Sequence, residues 1–160
     1  MNELDANNGL PPGSTGGLTS KSPDSLHELP RKRGILVVDN DGALRAVLNK
    51  GLRGHGFDVW IAADGQDALD LFWRHHALID LVLLDVGMPG LDGPQTASAL
   101  LQLKPAMRFC FMSGDLGGYE DQKLRDLGAL AVIPKPFRLA EVAPLLWELA
   151  SRADLCTVGV

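Results

Sequence analysis

Residues 81 to 93 read LVLLDVGMPGLDG. Four consecutive apolar residues, with no polar residue alternating between them, describe a strand buried on both faces, the kind found inside parallel sheets. The strand ends on a carboxylate, Asp85, and the chain then enters a turn-forming run that contains Gly87, Pro89, Gly90, Asp92 and Gly93. A charge carried out of the end of a buried strand into a tight loop needs a reason.

The same pattern recurs on both sides of this stretch. ILVV (35–38) is a second apolar β-branched run and ends at Asp39, while DVWIA (58–62), MRFCFM (107–112) and LAVI (130–133) supply three more candidate strands. Helical periods lie between them. Leu44, Val47, Leu48 and Leu52 mark a first helix closed by Gly54 and Gly56. Asp64 reads as the N-cap of a second, with Ala68, Leu69, Phe72 and Trp73 on one face. A third runs from Pro94 to about Leu103, a short polar one covers 119–127, and the last covers 138–151. Five strands alternating with five helices predict a three-layer α/β fold: a doubly wound parallel sheet with helices on both faces, joined by right-handed crossovers. No internal repeat is visible.

At 160 residues, 46% hydrophobic and 22% charged, the composition is that of one globular domain. Between residues 34 and 150, ten Lys/Arg face fifteen Asp/Glu, so this stretch carries the whole net charge of −5. An acidic body speaks against direct DNA binding and for cations or basic partner patches. Residues 1–33 hold Gly, Pro, Ser or Thr at 14 of 33 positions and show no apolar period, so they are expected to form a disordered tail, with 151–160 as a short C-terminal tail. Arg31, Lys32 and Arg33, where the first tail meets the first strand, are expected to be solvated charges. Cys110 and Cys156 offer neither a disulfide framework nor ligand spacing, and neither a signal peptide nor a membrane-length apolar run is present. A soluble, cytoplasmic protein is expected. His75 and His76 are adjacent and splay around a helix, so a solvated helix end is expected there rather than a metal pair, and His55 belongs to a helix stop.

In a sheet of this kind the carboxyl ends of the strands face one edge, and ligands bind there. Strand one delivers Asp39, Asn40 and Asp41 to that edge, strand three Asp85, strand four Ser113, Gly114 and Asp115, and strand five Lys135 and Pro136. Crowded carboxylates call for a hard cation with oxygen ligands, and Mg²⁺ also favours phosphate oxygens. Lys135 would then neutralise a phosphoryl group.

Together ILVVDND (35–41), LVLLDVGMPGLDG (81–93), FMSG (111–114) and IPKPF (133–137) make the body, about residues 34 to 150, resemble a two-component response regulator receiver domain. The resemblance implies a flavodoxin-like (βα)5 fold with strand order 2-1-3-4-5. It implies that Asp85 accepts a phosphoryl group from a phosphohistidine on a sensor histidine kinase or phosphotransfer protein. Mg²⁺ would be held by Asp39, by the second acidic position (here Asn40), by Asp85 and by the carbonyl of Gly87. Ser113 would turn its hydroxyl to the phosphoryl oxygen and Lys135 would pair with it, before Pro136 in a cis peptide. The chain departs from the family pattern at two positions. Asn40 is neutral and should weaken the metal site, and Val132 stands where the family carries a Tyr or Phe that turns inward during switching. SRADLCTVGV after the last helix is too short for an output domain, so a stand-alone receiver is expected, or one excised from a longer chain. Output would be protein contact through the fourth strand, the polar helix and the last helix. On that last helix Leu145, Leu146, Trp147 and Leu149 read as core, with a partner or dimer surface as the alternative. Two rival readings stand beside this one: a receiver that binds partners without phosphate, and a haloacid-dehalogenase-type phosphatase with Asp39 as nucleophile and Asp41 as general acid/base.

Overall fold

The structure, a computed structural model, describes residues 30–115 and 118–152. Five parallel strands, β1 (Gly34–Val38), β2 (Asp58–Ala62), β3 (Leu81–Asp85), β4 (Phe109–Ser113) and β5 (Val132–Pro134), form one sheet in the order β2-β1-β3-β4-β5. The helices are α1 (Gly42–Gly54), α2 (Gly65–His75), α3 (Gly93–Leu103), α4 (Asp121–Asp126) and α5 (Leu139–Ser151). The expected flavodoxin-like fold and strand order are therefore both present.

The continuous apolar strands follow from burial on two sides. Ile35 and Val37 of β1 pack with Leu48 and Leu52 of α1 and with Val142 and Leu146 of α5. Leu36 and Val38, pointing the other way, pack with Phe72 of α2, Leu100 of α3 and Leu124 of α4. Every residue of β1, β3 and β4 is buried, Asp85 and Ser113 included. Cys110 lies within this layer, where burial pushes its thiol up to about 12, so it is a packing residue.

Several local expectations shift. β4 starts at Phe109 rather than Met107, because Met107 donates back to the Lys104 carbonyl in a turn, and β4 extends to take in Ser113. β5 is only Val132–Pro134, and α4 is a six-residue helix that begins at Asp121 without a side-chain cap. Val47 and Trp73, assigned to buried helix faces, are 61% and 70% exposed. Each lies next to a buried residue, Leu48 or Phe72, and one step along a helix turns a side chain by about 100°. On α5, Leu146 and Leu149 are core as expected, whereas Leu145 and Trp147 are partly exposed. The Trp147 ring meets Phe57 edge-on at 5.1 Å. His75 is not simply solvated, because it stacks on Trp60 at 5.6 Å. Arg31 is not a free charge either. Its guanidinium forks onto Asp80 at 2.6 and 3.0 Å, and the same carboxylate accepts the Gly34 amide at 2.8 Å. The expected tails fall mostly outside the described residues (1–29 and 153–160), as does Cys156.

Two glycines shape the loop after β3. Gly90 has φ +77°, open to glycine at little cost, and Gly93 begins α3 so close beneath β3 that a Cβ there would sit 2.3 Å from the Asp85 carbonyl oxygen. Gly87, in the same loop, has nothing within 4 Å of such a Cβ. Gly93→Ala should accordingly cost about 1–3 kcal/mol in urea unfolding, as forced overpacking does, while Gly87→Ala should stay within about 0.5 kcal/mol of the parent. Equal effects of the two substitutions would contradict the close approach at Gly93.

Candidate functional site

Strand register brings the expected residues to one place. Asp85 ends β3 opposite Met112 of β4, the Val86 amide continues that ladder by donating to the Met112 carbonyl, and Ser113 follows immediately. Ser113 in turn faces Pro134 of β5, and the Lys135 amide donates to the Ser113 carbonyl at 2.8 Å. Asp39 leaves β1 with its amide bonded to the Ala62 carbonyl of β2. Three neighbouring strands and the end of a fourth thus converge at the carboxyl edge, at the topological switch point between β1 and β3.

At the centre, the Lys135 ammonium donates to Asp39 Oδ2 at 2.7 Å and to Asp85 Oδ1 at 3.0 Å. Both carboxylates are buried, with Asp39 fully inaccessible and Asp85 7% exposed. Burial raises the Asp85 carboxyl above its ordinary range, and Asp39 adds to that effect while the Lys135 hydrogen bond and charge only partly offset it. For Lys135, burial alone would favour the neutral amine, but the bonds and charges of Asp39 and Asp85 outweigh it and hold the group above its usual range. The pocket therefore contains two anions against one cation. The Lys135–Pro136 peptide is cis, as the resemblance implied.

The surrounding residues fix this centre. Asp39 Oδ1 accepts the Asp41 amide at 2.7 Å, and Arg45 of α1 donates to the Asp39 carbonyl at 2.6 Å. Asp41 is the N-cap of α1, its Oδ1 accepting the amides of Ala43 and Leu44, so its carboxylate is committed to the helix start. Asn40 is exposed beside Asp39, and Gly87 is exposed two residues beyond Asp85. Ser113 is buried at the site, but its hydroxyl donates to the Asp115 carbonyl rather than into the pocket. Among the described residues, no group of three or more His, Cys, Asp or Glu is placed to hold a metal.

Lys135 also separates two cavities. One, of about 390 Å³, is lined by Ser113, Gly114, Asp121, Val132, Pro134 and Lys135. The other, of about 360 Å³, is lined by Asp41, Leu44, Lys135, Pro136 and Phe137.

Two residues of the site escaped the sequence reading. Asp92 caps α3 in a capping box, its Oδ1 accepting the Gln95 amide at 2.8 Å while its own amide donates to Gln95 Oε1 at 3.1 Å. The spacing Asp-x-x-Gln before an apolar period was a readable signal for it. The other carboxylate oxygen of Asp92 accepts the hydroxyl of Tyr119 at 2.9 Å. No local pattern announces that bond, which joins residues 27 apart.

Comparison with known proteins agrees with this arrangement. The family described as response regulator receiver domain matches residues 35–146. The sensor kinase CckA of Brucella abortus is 31% identical over 137 residues, which are 84% of this chain and 14% of that protein. Sporulation initiation phosphotransferase F of Bacillus subtilis is 34% identical over 110 residues, 68% of this chain and 86% of that protein. Among solved structures, the CheX–CheY–BeF3–Mg²⁺ complex of Borrelia burgdorferi superposes with a TM-score of 0.66 at 27% identity, covering 73% of this chain and 88% of that one. Coverage of the curated relatives thus ranges from a small part of a long kinase to most of a short phosphotransferase. With the family match spanning all five strands and the residues at their carboxyl edge, the chain belongs to the response regulator receiver family, the phosphoacceptor domains of two-component signalling.

Proposed function

We propose that Asp85 is the phosphoacceptor. One carboxylate oxygen of Asp85 bonds to phosphorus as the P–N bond of a donor phosphohistidine breaks, and the electron pair leaves with the imidazole nitrogen of the sensor kinase or phosphotransfer protein. The observation that carries this reading is the Lys135 ammonium 3.0 Å from Asp85 Oδ1, at the edge where four strand ends meet. A transferring phosphoryl group spreads charge over its oxygens, and catalysis of its transfer is mostly positioning and cationic stabilisation. Lys135 is already positioned for that, and Ser113 needs only to exchange the Asp115 carbonyl for a phosphoryl oxygen.

The donor set fits Mg²⁺: two buried carboxylates and an exposed backbone and amide edge offer hard oxygen atoms with room for water. Asp39, Asp85, the Gly87 carbonyl and the Asn40 amide oxygen would hold it. Bound there, the ion supplies positive charge to the transferring oxygens. With the ion neutralising Asp39, the Lys135 ammonium, which has three donors, would be free to turn toward the phosphoryl group. The domain does not turn over a substrate; loss of its own phosphoryl group is the extent of its chemistry. Output is protein contact, supported by the partly exposed Leu127 and Leu130 beside α4 and Leu145 on α5. No described helix is long and apolar enough to cross a membrane, and we place the domain in the cytoplasm, where its phosphodonors would be.

Incubation with acetyl phosphate and Mg²⁺ should add one phosphoryl mass to the intact protein, and Asp85→Asn should abolish the gain. A gain retained in Asp85→Asn, or lost only in Asp39→Asn, would refute the assignment, and no gain in any form would favour a phosphate-independent receiver. Asn40→Asp should tighten Mg²⁺ binding about thirtyfold by calorimetry, because a carboxylate about 4 Å from a divalent ion is worth about 2 kcal/mol even at the dielectric constant of water. Unchanged affinity would place the ion elsewhere.

Asp85 also sets a pH dependence. Because its folded-state pKa is raised, keeping it ionised costs stability above that pKa, and the cost disappears as acidification protonates it. Asp85→Asn should therefore raise the urea midpoint at neutral pH and lose this advantage as pH falls through the raised value. A lowered midpoint at neutral pH would show that the Lys135 pair outweighs the burial.

A further inference from the structure

Val132 has no ring to move, yet the cavity beside it is open and its lining includes Ser113 and Lys135. The chain has a single tyrosine, Tyr119. It lies between Gly114 and Asp121, both of which line that cavity, and its ring packs against the same core layer as Val132. Its hydroxyl is held by Asp92. Asp92 belongs to the acceptor loop: it caps α3, and the next residue, Gly93, donates to the Val86 carbonyl one residue after Asp85. The Tyr119–Asp92 bond thus ties the segment after β4 to the loop after β3. The Asp92 carboxylate also raises the Tyr119 phenol above its ordinary range, as a hydrogen bond to an anion does.

Two side-chain bonds flank the segment after β4 at its described ends, the Ser113 hydroxyl to the Asp115 carbonyl and Tyr119 to Asp92. A phosphoryl group on Asp85 competes directly for the Ser113 hydroxyl. Once Ser113 turns into the site, its bond to the Asp115 carbonyl is given up, and Gly114 and Gly118, the latter at φ +85°, are the pivots nearest Ser113 and Tyr119.

From this arrangement we infer that Tyr119 is the positioning residue that reports occupancy of Asp85: its hydroxyl rests on Asp92 when the acceptor is free and leaves it when the acceptor is modified, the ring then moving over the cavity beside Val132. The inference rests on Asp85 being the acceptor. Linkage makes it testable, because a bond broken on filling the site opposes that filling, and removing the bond beforehand must favour it by the same factor.

The experiment uses beryllofluoride with Mg²⁺ as the phosphoryl mimic on the full chain, with ¹⁹F NMR reporting the bound mimic and ring-labelled tyrosine giving one set of signals. The expected result is a bound ¹⁹F signal, a shift of the tyrosine ring signals on saturation, and binding about three- to tenfold tighter in Tyr119→Phe, the range for the net worth of one ordinary hydrogen bond. Asp92→Asn, which keeps the cap, should tighten binding less in the Tyr119→Phe background than alone. A bound ¹⁹F signal with unmoved tyrosine resonances, or an affinity unchanged in Tyr119→Phe, overturns the role of Tyr119 and leaves the phosphoacceptor intact. Absence of any bound ¹⁹F signal overturns both.

Discussion

One lysine between two buried carboxylates organises this molecule. Lys135 reaches Asp39 and Asp85 at 2.7 and 3.0 Å, and each of the three comes from a different part of the sheet. Removing Lys135 would leave two buried carboxylates without a compensating charge, which is far more costly than the ion pairing is favourable. The sheet order is what permits the contact. With β1 and β3 adjacent and β4 separating β3 from β5, the two carboxylates stand side by side and the lysine crosses over β4 to reach them. Register carries the rest, because a shift of one residue along β3 would turn Asp85 into a helix layer and an apolar residue into the pocket.

Two carboxylates against one ammonium leave the pocket with an excess of one negative charge, which the proposed function would use. A fully neutral pocket would have no use for a second cation, and a pocket with three carboxylates would hold one tightly. With Asn40 in the pair position, the site lies between these limits. On the proposed function, metal affinity, lysine placement and phosphoryl acceptance would be parts of one electrostatic balance, and a change at any of them would be felt by the others. The family resemblance does not specify where this chain sits in that balance; the neutral Asn40 and the committed Asp41 do.

Much of this was legible before any coordinates. Continuous apolar runs identified the strands because both faces are covered, and Asp39, Asp85 and Lys135 could be placed together because parallel strands all present their carboxyl ends to one edge. Asp64 as a helix cap followed from its type and place, and its side chain does accept the Asp67 amide. What failed did so for local reasons. Val47 and Trp73 had the right spacing for a helix but the wrong phase, and periodicity leaves phase uncertain by a residue. β5, with three residues, is too short to define its own ends. Arg31 with Asp80 and Tyr119 with Asp92 are 49 and 27 residues apart, and no neighbouring residue in the chain signals either pair. The bond from the Ser113 hydroxyl to the Asp115 carbonyl was not legible either, since that rotamer depends on the residues that follow β4.

The Arg31–Asp80 fork has a mechanical meaning. Asp80 immediately precedes β3 and also receives the Gly34 amide at the start of β1, so the two central strands are bolted together at the pole opposite Lys135. Force applied to the chain through residue 31 would first load that ionic fork, and then the ladder bonds of β1 on both of its flanks in shear, where they must yield together rather than unzip one by one. Whatever pulls at this end of the domain is therefore borne by the sheet and does not reach the pocket until the sheet itself gives way.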